Sequence, residues 1–217
     1  MSRGGTLPAC ASCGSLERHR TVRAVWSLLV GAELRRLKAI QFSLDPSVDK
    51  DWFDSLEVSV YERRNSLDLE NIYRLSGSYD IVICNHVLEH IEDDRRAFRE
   101  IMRVLTPWGL FQFTVPLPRT RAVTEEWGYP DRPHGHFRVY GRDLIDRFAE
   151  TSPGTRFLCV PCADPVTGEA DFVYLAFLDE RRLNGIRQVL GKAFPSLTVN
   201  GHEGSCASAG VRHFANR

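Results

Sequence analysis

Two sets of side chains in this sequence stand at spacings that can do chemistry. Four of the six cysteines form C-x-x-C pairs, Cys10/Cys13 and Cys159/Cys162. Two thiolates at that separation can share a zinc ion, and two such pairs supply the four ligands of a structural site. His19, His202, Cys206 and His213 are further donors. The second set is histidine. His86 follows the clearest strand signal in the chain, and His134 and His136 stand in a long connection, residues 116–137, with Tyr140 just beyond it. An imidazole is the natural base near neutral pH for an acceptor that must lose a proton. Tyr140 can add a hydrogen bond. Arg119, Arg121, Arg132 and Arg138, in or beside the same connection, suit either a carboxylate or phosphate on a substrate or a solvated loop face. Trp127 and Tyr129 suit either a stacking wall or core packing.

These groups need elements to position them. Val22, Val25, Trp26, Leu29 and Val30 repeat at helical spacing from Ser15 onward. This predicts a helix to about Leu34, whose apolar face packs on a sheet or serves a dimer. Residues 39–42, 58–61 and 79–84 read as strands. The last of these, Tyr79-Asp80-Ile81-Val82-Ile83-Cys84, is apolar almost throughout, as a parallel strand covered on both faces should be. Ala97, Phe98, Ile101, Met102 and Leu105 predict a helix, with Glu92, Asp93 and Asp94 favouring the positive end of its dipole. Residues 106–109 read as a turn and 110–115 as the next strand. Further on, 143–149 predicts a helix, 157–160 and 172–177 an antiparallel pair, and 179–190 a last helix. The expected architecture is α/β: a mostly parallel sheet with helices on both faces.

The chain has 217 residues, 43% hydrophobic and 26% charged, with zero formal net charge. That is enough for one core and a small appendage. Zero net charge offers no global field for nucleic acid or an anionic surface. No apolar run is long enough to span a bilayer, and no apolar signal core follows Met1, so a cytoplasmic location is expected. The division expected is 1–37 as a cysteine knuckle and helix, 38–195 as the main domain, and 196–217 as a loose Gly- and Ser-rich tail.

The segment Tyr79 to Ile91, followed by Phe98-Arg99-Glu100-Ile101-Met102-Arg103-Val104-Leu105-Thr106-Pro107-Trp108-Gly109, resembles the fourth strand, loop, helix and turn of class I S-adenosylmethionine (SAM) methyltransferases with their Rossmann-like fold, type 11-like among them. Cys10-x-x-Cys13-Gly14-Ser15-Leu16-Glu17-Arg18-His19-Arg20 and His136 to Asp143 resemble a bacterial subgroup, many members of which begin with a zinc ribbon. The likeness runs over roughly residues 10–150. It implies SAM at the carboxyl ends of the strands. Ser43, Leu44 and Asp45 would form the first turn, with Asp45 towards the methionine amino group. Glu62 would accept from the ribose hydroxyls. Asp68 would accept from the adenine amino group, and Leu69 would pack on the ring. Asn85 and His86 would lie under the methionine part, facing the acceptor.

The activity implied is methyl transfer to O or N of a small, possibly anionic metabolite or sugar-like precursor. His86, His136, His134 and Tyr140 are the candidate catalytic groups. The first turn contains no glycine, which favours a second reading: a methyltransferase-like protein that serves as a non-catalytic binding or partner subunit. Nucleic-acid modification ranks third, since no N-P-P-Y-type tetrapeptide follows the strand.

Overall fold

A computed structural model describes residues 9–31, 33–116 and 121–199. The first helix, α1 (Glu17–Leu29), is followed by two short parallel strands, β1 (Lys38–Phe42) and β2 (Ser55–Ser59), and then by β3 (Tyr79–Asn85). Helix α2 (Asp94–Val104) leads into β4 (Leu105–Thr114). Then come a small hairpin of β5 (Glu125–Glu126) and β6 (Arg138–Val139), helix α3 (Leu144–Thr151), β7 (Arg156–Ala163), β8 (Ala170–Phe177), α4 (Glu180–Leu190) and β9 (Thr198–Val199). Seven strands form one sheet in the order β2-β1-β3-β4-β8-β7-β9. The first four run parallel, and β8, β7 and β9 are each antiparallel to the strand before them in that order.

Strand alternation sorts the apolar residues into two cores. Val82 and Cys84 of β3 join Phe111 and Phe113 of β4 under α2 and α3, where Phe98 stacks on Phe148 at 4.5 Å between ring centroids. Ile81 and Ile83 face the other way, onto Val22, Val25 and Trp26 of α1 and onto Leu183 and Leu190 of α4. The Val22/Trp26 face is therefore buried against the sheet, with Trp26 fully enclosed, and is not a dimer surface. At roughly 2 kcal/mol for each large apolar side chain buried, α1 is part of the domain and not an appendage.

Several sequence expectations shift in detail. The second strand lies three residues earlier than the 58–61 run, because β2 is paired over Ser55–Ser59. No α-helix separates β1, β2 and β3. Residues 106–109 do make an excursion, but within β4. Leu105 pairs with Tyr79, and the ladder resumes at Leu110 opposite Ile81. Gly109 is not left-handed there. Its hydrogen faces the Thr106 carbonyl, which an added Cβ would approach to 2.9 Å. At the far end Thr198 and Val199 pair with β7, so the sheet reaches past residue 195. Positions 200–217 lie outside the described residues.

Arg20 ties α1 to the turn after β7. Its guanidinium donates to both carboxylate oxygens of Asp164, at 2.7 and 2.8 Å, and the Asp164 side chain is fully buried. Thr167 also donates to Asp164 through its backbone and its hydroxyl. These bonds outweigh burial and hold the carboxyl at about 2, below its ordinary 3.8. A group depressed on folding lends stability that is complete above its unfolded value and is lost as pH falls through the folded one. Urea unfolding of the native chain should therefore lose about 2 kcal/mol between pH 5 and pH 2 through this group. Asp164→Asn should start less stable and lack that share of the acid dependence. An unchanged acid slope in the variant would assign the ion pair no such role.

Candidate functional site

The carboxyl ends of β1, β2 and β3 open on one edge of the sheet, and the backbone turns sharply at each. Ser43, Glu62 and His86 all have positive φ, at 77°, 58° and 51°. Non-glycine residues rarely take that conformation, and they persist in it where surrounding contacts hold them. Ser43 follows β1 and His86 follows β3 directly, while Glu62 stands in the exposed turn after β2. The three left-handed corners coincide with three of the residues singled out for the cofactor.

Beneath these corners runs a buried polar chain. Asn85, at the end of β3, donates to Ser47 Oγ at 3.1 Å and to Asp45 Oδ2 at 3.3 Å. Its carbonyl accepts from Gln112 Nε2 at 2.8 Å and Thr114 Oγ1 at 3.3 Å. Trp26 of α1 in turn donates to Gln112 at 3.1 Å. Asp45 also caps its own turn, accepting from the Ser47 N–H, and its carbonyl accepts from Gln41. The glycine-free first turn is thus held by side chains. Leu44 points outward, 75% exposed.

The loop after β3 carries the most perturbed groups. His86 is largely buried, and its Nε2 has no partner. Burial and the positive charge of nearby Arg18 push its pKa down to about 3, so the ring is neutral at ordinary pH. Glu89 is 1% exposed, and neither carboxylate oxygen has a partner. Burial raises it to about 8. His86 Nδ1 stands 3.8 Å from Glu89 Oε1. Glu89 had a sequence signal of its own: His86-x-x-Glu89-His90, two imidazoles flanking a carboxyl at the short turn Leu88–His90. Arg18 and His19, at the start of α1, come close enough to act on His86 by their charge. Arg18 is half-buried and makes no ion pair among the described residues.

Residues 131–137 close over this loop. Asp131 Oδ1 accepts from the backbone N–H groups of His134 and His136, at 3.1 and 2.8 Å. Gly135, left-handed at φ 72°, turns its carbonyl onto His90 Nδ1 at 3.2 Å. The Phe137 N–H donates to the Glu89 carbonyl. His136 comes to 4.6 Å from the His90 ring and is held below its usual pKa by burial and by His90. His134 is exposed and leans on Asp131 at 3.3 Å.

Arg138 is not an anion-binding residue. It is 3% exposed, and its guanidinium donates to the carbonyls of Leu88, Ile91 and Glu92 and to the Glu126 carboxylate. Tyr140 is likewise removed from acceptor chemistry. It is fully buried and donates to Asp94 at 2.7 Å. Arg121 pairs with Glu125, Arg132 is exposed, and Arg119 lies outside the described residues. The Trp127 indole donates to the His136 carbonyl, and Tyr129 is exposed.

Asp68 and Glu62 are exposed, whereas Leu69 is 3% exposed and packed in the core beneath α2. The two cysteine pairs do not form a four-thiolate set among the described residues. Three residues apart on β7, Cys159 and Cys162 point to opposite faces of the sheet and sit in different cores. Cys159 is disulfide-bonded and so offers no thiolate. Cys10 and Cys13 are free. His19 spends Nδ1 on the Leu16 N–H, and His202, Cys206 and His213 lie outside the described residues.

No helix among the described residues is long and apolar enough to cross a membrane. Among known proteins, a SAM-dependent methyltransferase from Aquifex aeolicus superposes on 74% of this chain and 92% of its own, with a TM-score of 0.50 at 13% identity. The Burkholderia thailandensis 1,6-didemethyltoxoflavin-N1-methyltransferase covers 73% of this chain and 77% of its own, with a TM-score of 0.46 at 14% identity. A human thiol S-methyltransferase is 36% identical over 61 residues, which are 28% of this chain and 24% of that protein. The chain therefore matches only about a quarter of that relative's length. The family described as a methyltransferase domain matches residues 16–152. With its mostly parallel sheet and the site at the strands' carboxyl edge, the chain belongs to the methyltransferase-domain family and has the Rossmann-like SAM-methyltransferase fold.

Proposed function

We propose that this protein transfers a methyl group from SAM to a heteroatom of a small anionic molecule. The observation that carries the reading is the unpartnered, buried Nε2 of His86 beside the left-handed corners at Ser43, Glu62 and His86. Polar atoms desolvated without partners are costly, and these lie where folds of this type take their ligand. When bound, SAM supplies a methyl group made electrophilic by its sulfonium sulfur. The backbone around Ser43 and Asp45 would hold the methionine end, Glu62 would accept from the ribose hydroxyls, and Asn85 would fix the floor. Asp68 is the expected acceptor for the adenine amino group. His86 and His136, both held neutral, would accept hydrogen bonds from the methyl acceptor, with His134 at the mouth. Arg18 supplies an unneutralised cation for an anionic acceptor.

The second reading is a SAM-fold protein that does not methylate. It is favoured by Asp45, whose carboxylate is already engaged by Asn85 and Ser47. Calorimetry separates the two. Micromolar binding of SAM and S-adenosylhomocysteine, weakened at least about tenfold by Glu62→Ala, is expected of the enzyme. Absence of binding at millimolar cofactor would leave the non-catalytic reading. In either case a homodimer or a partner protein is compatible with the surface, and nucleic acid is the least favoured acceptor.

A further inference from the structure

We infer that Glu89, His90 and His136 form a binding site for one first-row divalent transition metal ion, at the acceptor side of the pocket. One ligand atom from each of the three lies within 4.8 Å of the other two. Ligands around a tetrahedral zinc ion stand about 3.3 Å apart, given bonds near 2.0–2.1 Å. Each side chain would need to draw in by about 1 Å.

The second observation is the Glu89 carboxylate itself. It is 1% exposed, and both oxygens are buried without a partner. A carboxylate in that position is costly unless something satisfies it. Arg138, the cation of β6 that packs on this loop, is consumed by the carbonyls of Leu88, Ile91 and Glu92 and by Glu126. The titratable groups nearest to Glu89 are imidazoles, His86 at 3.8 Å, His90 and His136, while Arg18 acts on it from beyond ion-pair distance. All three imidazoles can offer lone pairs to a cation.

The tautomer of His90 is fixed by its neighbour. A carbonyl can only accept, so the 3.2 Å contact with Gly135 O places the proton on Nδ1 and leaves the Nε2 lone pair free. Metal-bound histidines are typically oriented in this way, with the other ring nitrogen donating to a carbonyl or carboxylate. His136 is held by its backbone: Asp131 accepts from its N–H, and its ring stands edge-on against His90. A rival cluster, Asp131, His134 and His136, shares His136. It is the weaker choice, because Asp131 is already satisfied by two backbone N–H groups and His134 is exposed.

The donor set names the class of ion. Two imidazoles and one carboxylate suit zinc, cobalt, manganese or iron, whereas magnesium and calcium prefer all-oxygen shells. Three protein ligands leave a position open, as in catalytic sites. A coordinated oxygen or sulfur of the acceptor would lose its proton more readily there; this last step rests on the methyl-transfer reading, but the metal site does not.

The test uses the full chain carrying Cys10→Ser and Cys13→Ser, which removes the N-terminal thiols from the count. After chelation and dialysis, zinc and cobalt are titrated with no cofactor present. One equivalent should bind at micromolar or lower Kd, and cobalt should give visible bands of a four- or five-coordinate ion. Glu89→Gln, His90→Ala and His136→Ala should each weaken binding at least about tenfold, while Asp131→Asn and His134→Ala should change it far less. No stoichiometric binding below about 100 µM would overturn the inference. So would binding that the first three variants leave intact. If metal binds and SAM does not, the proposed function fails and the metal site stands. The reverse result sinks only the metal site.

Discussion

Arg138→Leu should cost about 3–5 kcal/mol of stability, the range expected when one member of a buried charged network is removed. Arg138 is 4% exposed in its side chain and sits against Asp94 at 3.7 Å and Glu126 at 2.9 Å. Asp94 is held by Arg147 and Tyr140 as well, so the loss is not total. The carbonyls of Ile91 and Glu92, however, would lose this donor together, and that of Leu88 would keep only the Ile91 N–H. Buried acceptors left without donors cost about 1–3 kcal/mol each when water cannot reach them. The 88–92 loop carries Glu89 and His90, so the variant should also loosen the site. Denaturant midpoints measure the first effect. Hydrogen exchange confined to residues 86–93 measures the second. Arg138→Lys should recover little, because one ammonium cannot reproduce a planar fork that serves three carbonyls and a carboxylate. Full stability in both variants would remove Arg138 from its assigned role.

Asn85→Leu should have the next largest effect, about 2–4 kcal/mol, with loss of cofactor binding in addition. Leucine fills the volume but leaves Gln112 Nε2, Thr114 and Ser47 facing an apolar side chain. Asp45 would also lose its contact with β3, freeing the turn that carries Ser43 and Leu44. If the chain acts as one network, Asn85→Leu combined with Gln112→Leu should cost less than the two single changes added together. Strict additivity in thermal or urea unfolding would show that the groups act separately. Calorimetry with S-adenosylhomocysteine on Asn85→Asp, which keeps the acceptor oxygen, distinguishes lost folding from lost recognition.

The elements that were legible in the sequence are those with strong periodicity. β3, α2, α4 and the β7–β8 pair fall where their apolar spacing puts them, because burial on one or both faces dictates the pattern. β2 was misplaced because Val58 and Val60 suggest a strand that the pairing with β1 ends at Ser59. β9 is only two residues long and has no pattern of its own. Of the site, Asn85, His86, His136 and the Ser43–Asp45 turn were named from the sequence and do meet at one edge. Tyr140 and Arg138 were misjudged because polar tips suggested exposure. Their partners, Asp94 and the carbonyls after Leu88, are some 46–50 residues away and leave no local signal. Glu89 was missed for the converse reason: nothing local in the sequence shows that the fold encloses it. The C-x-x-C at 159 fails as a chelate because it falls within a strand throughout, where a spacing of three puts the two sulfurs on opposite faces.

The clasp between Arg20 and Asp164 spans 144 residues. At synthesis rates of about 5–20 residues per second, α1 must wait on the order of 10 s before β7 and its turn exist. During that interval the Val22, Val25 and Trp26 face lacks the β7 and β8 side of its cover, and Gln112 arrives before Asp164 does. Helix α1 is therefore made well before the strands that complete its packing, and until then its apolar face is open to capture by chaperones or to misassociation at the ribosome.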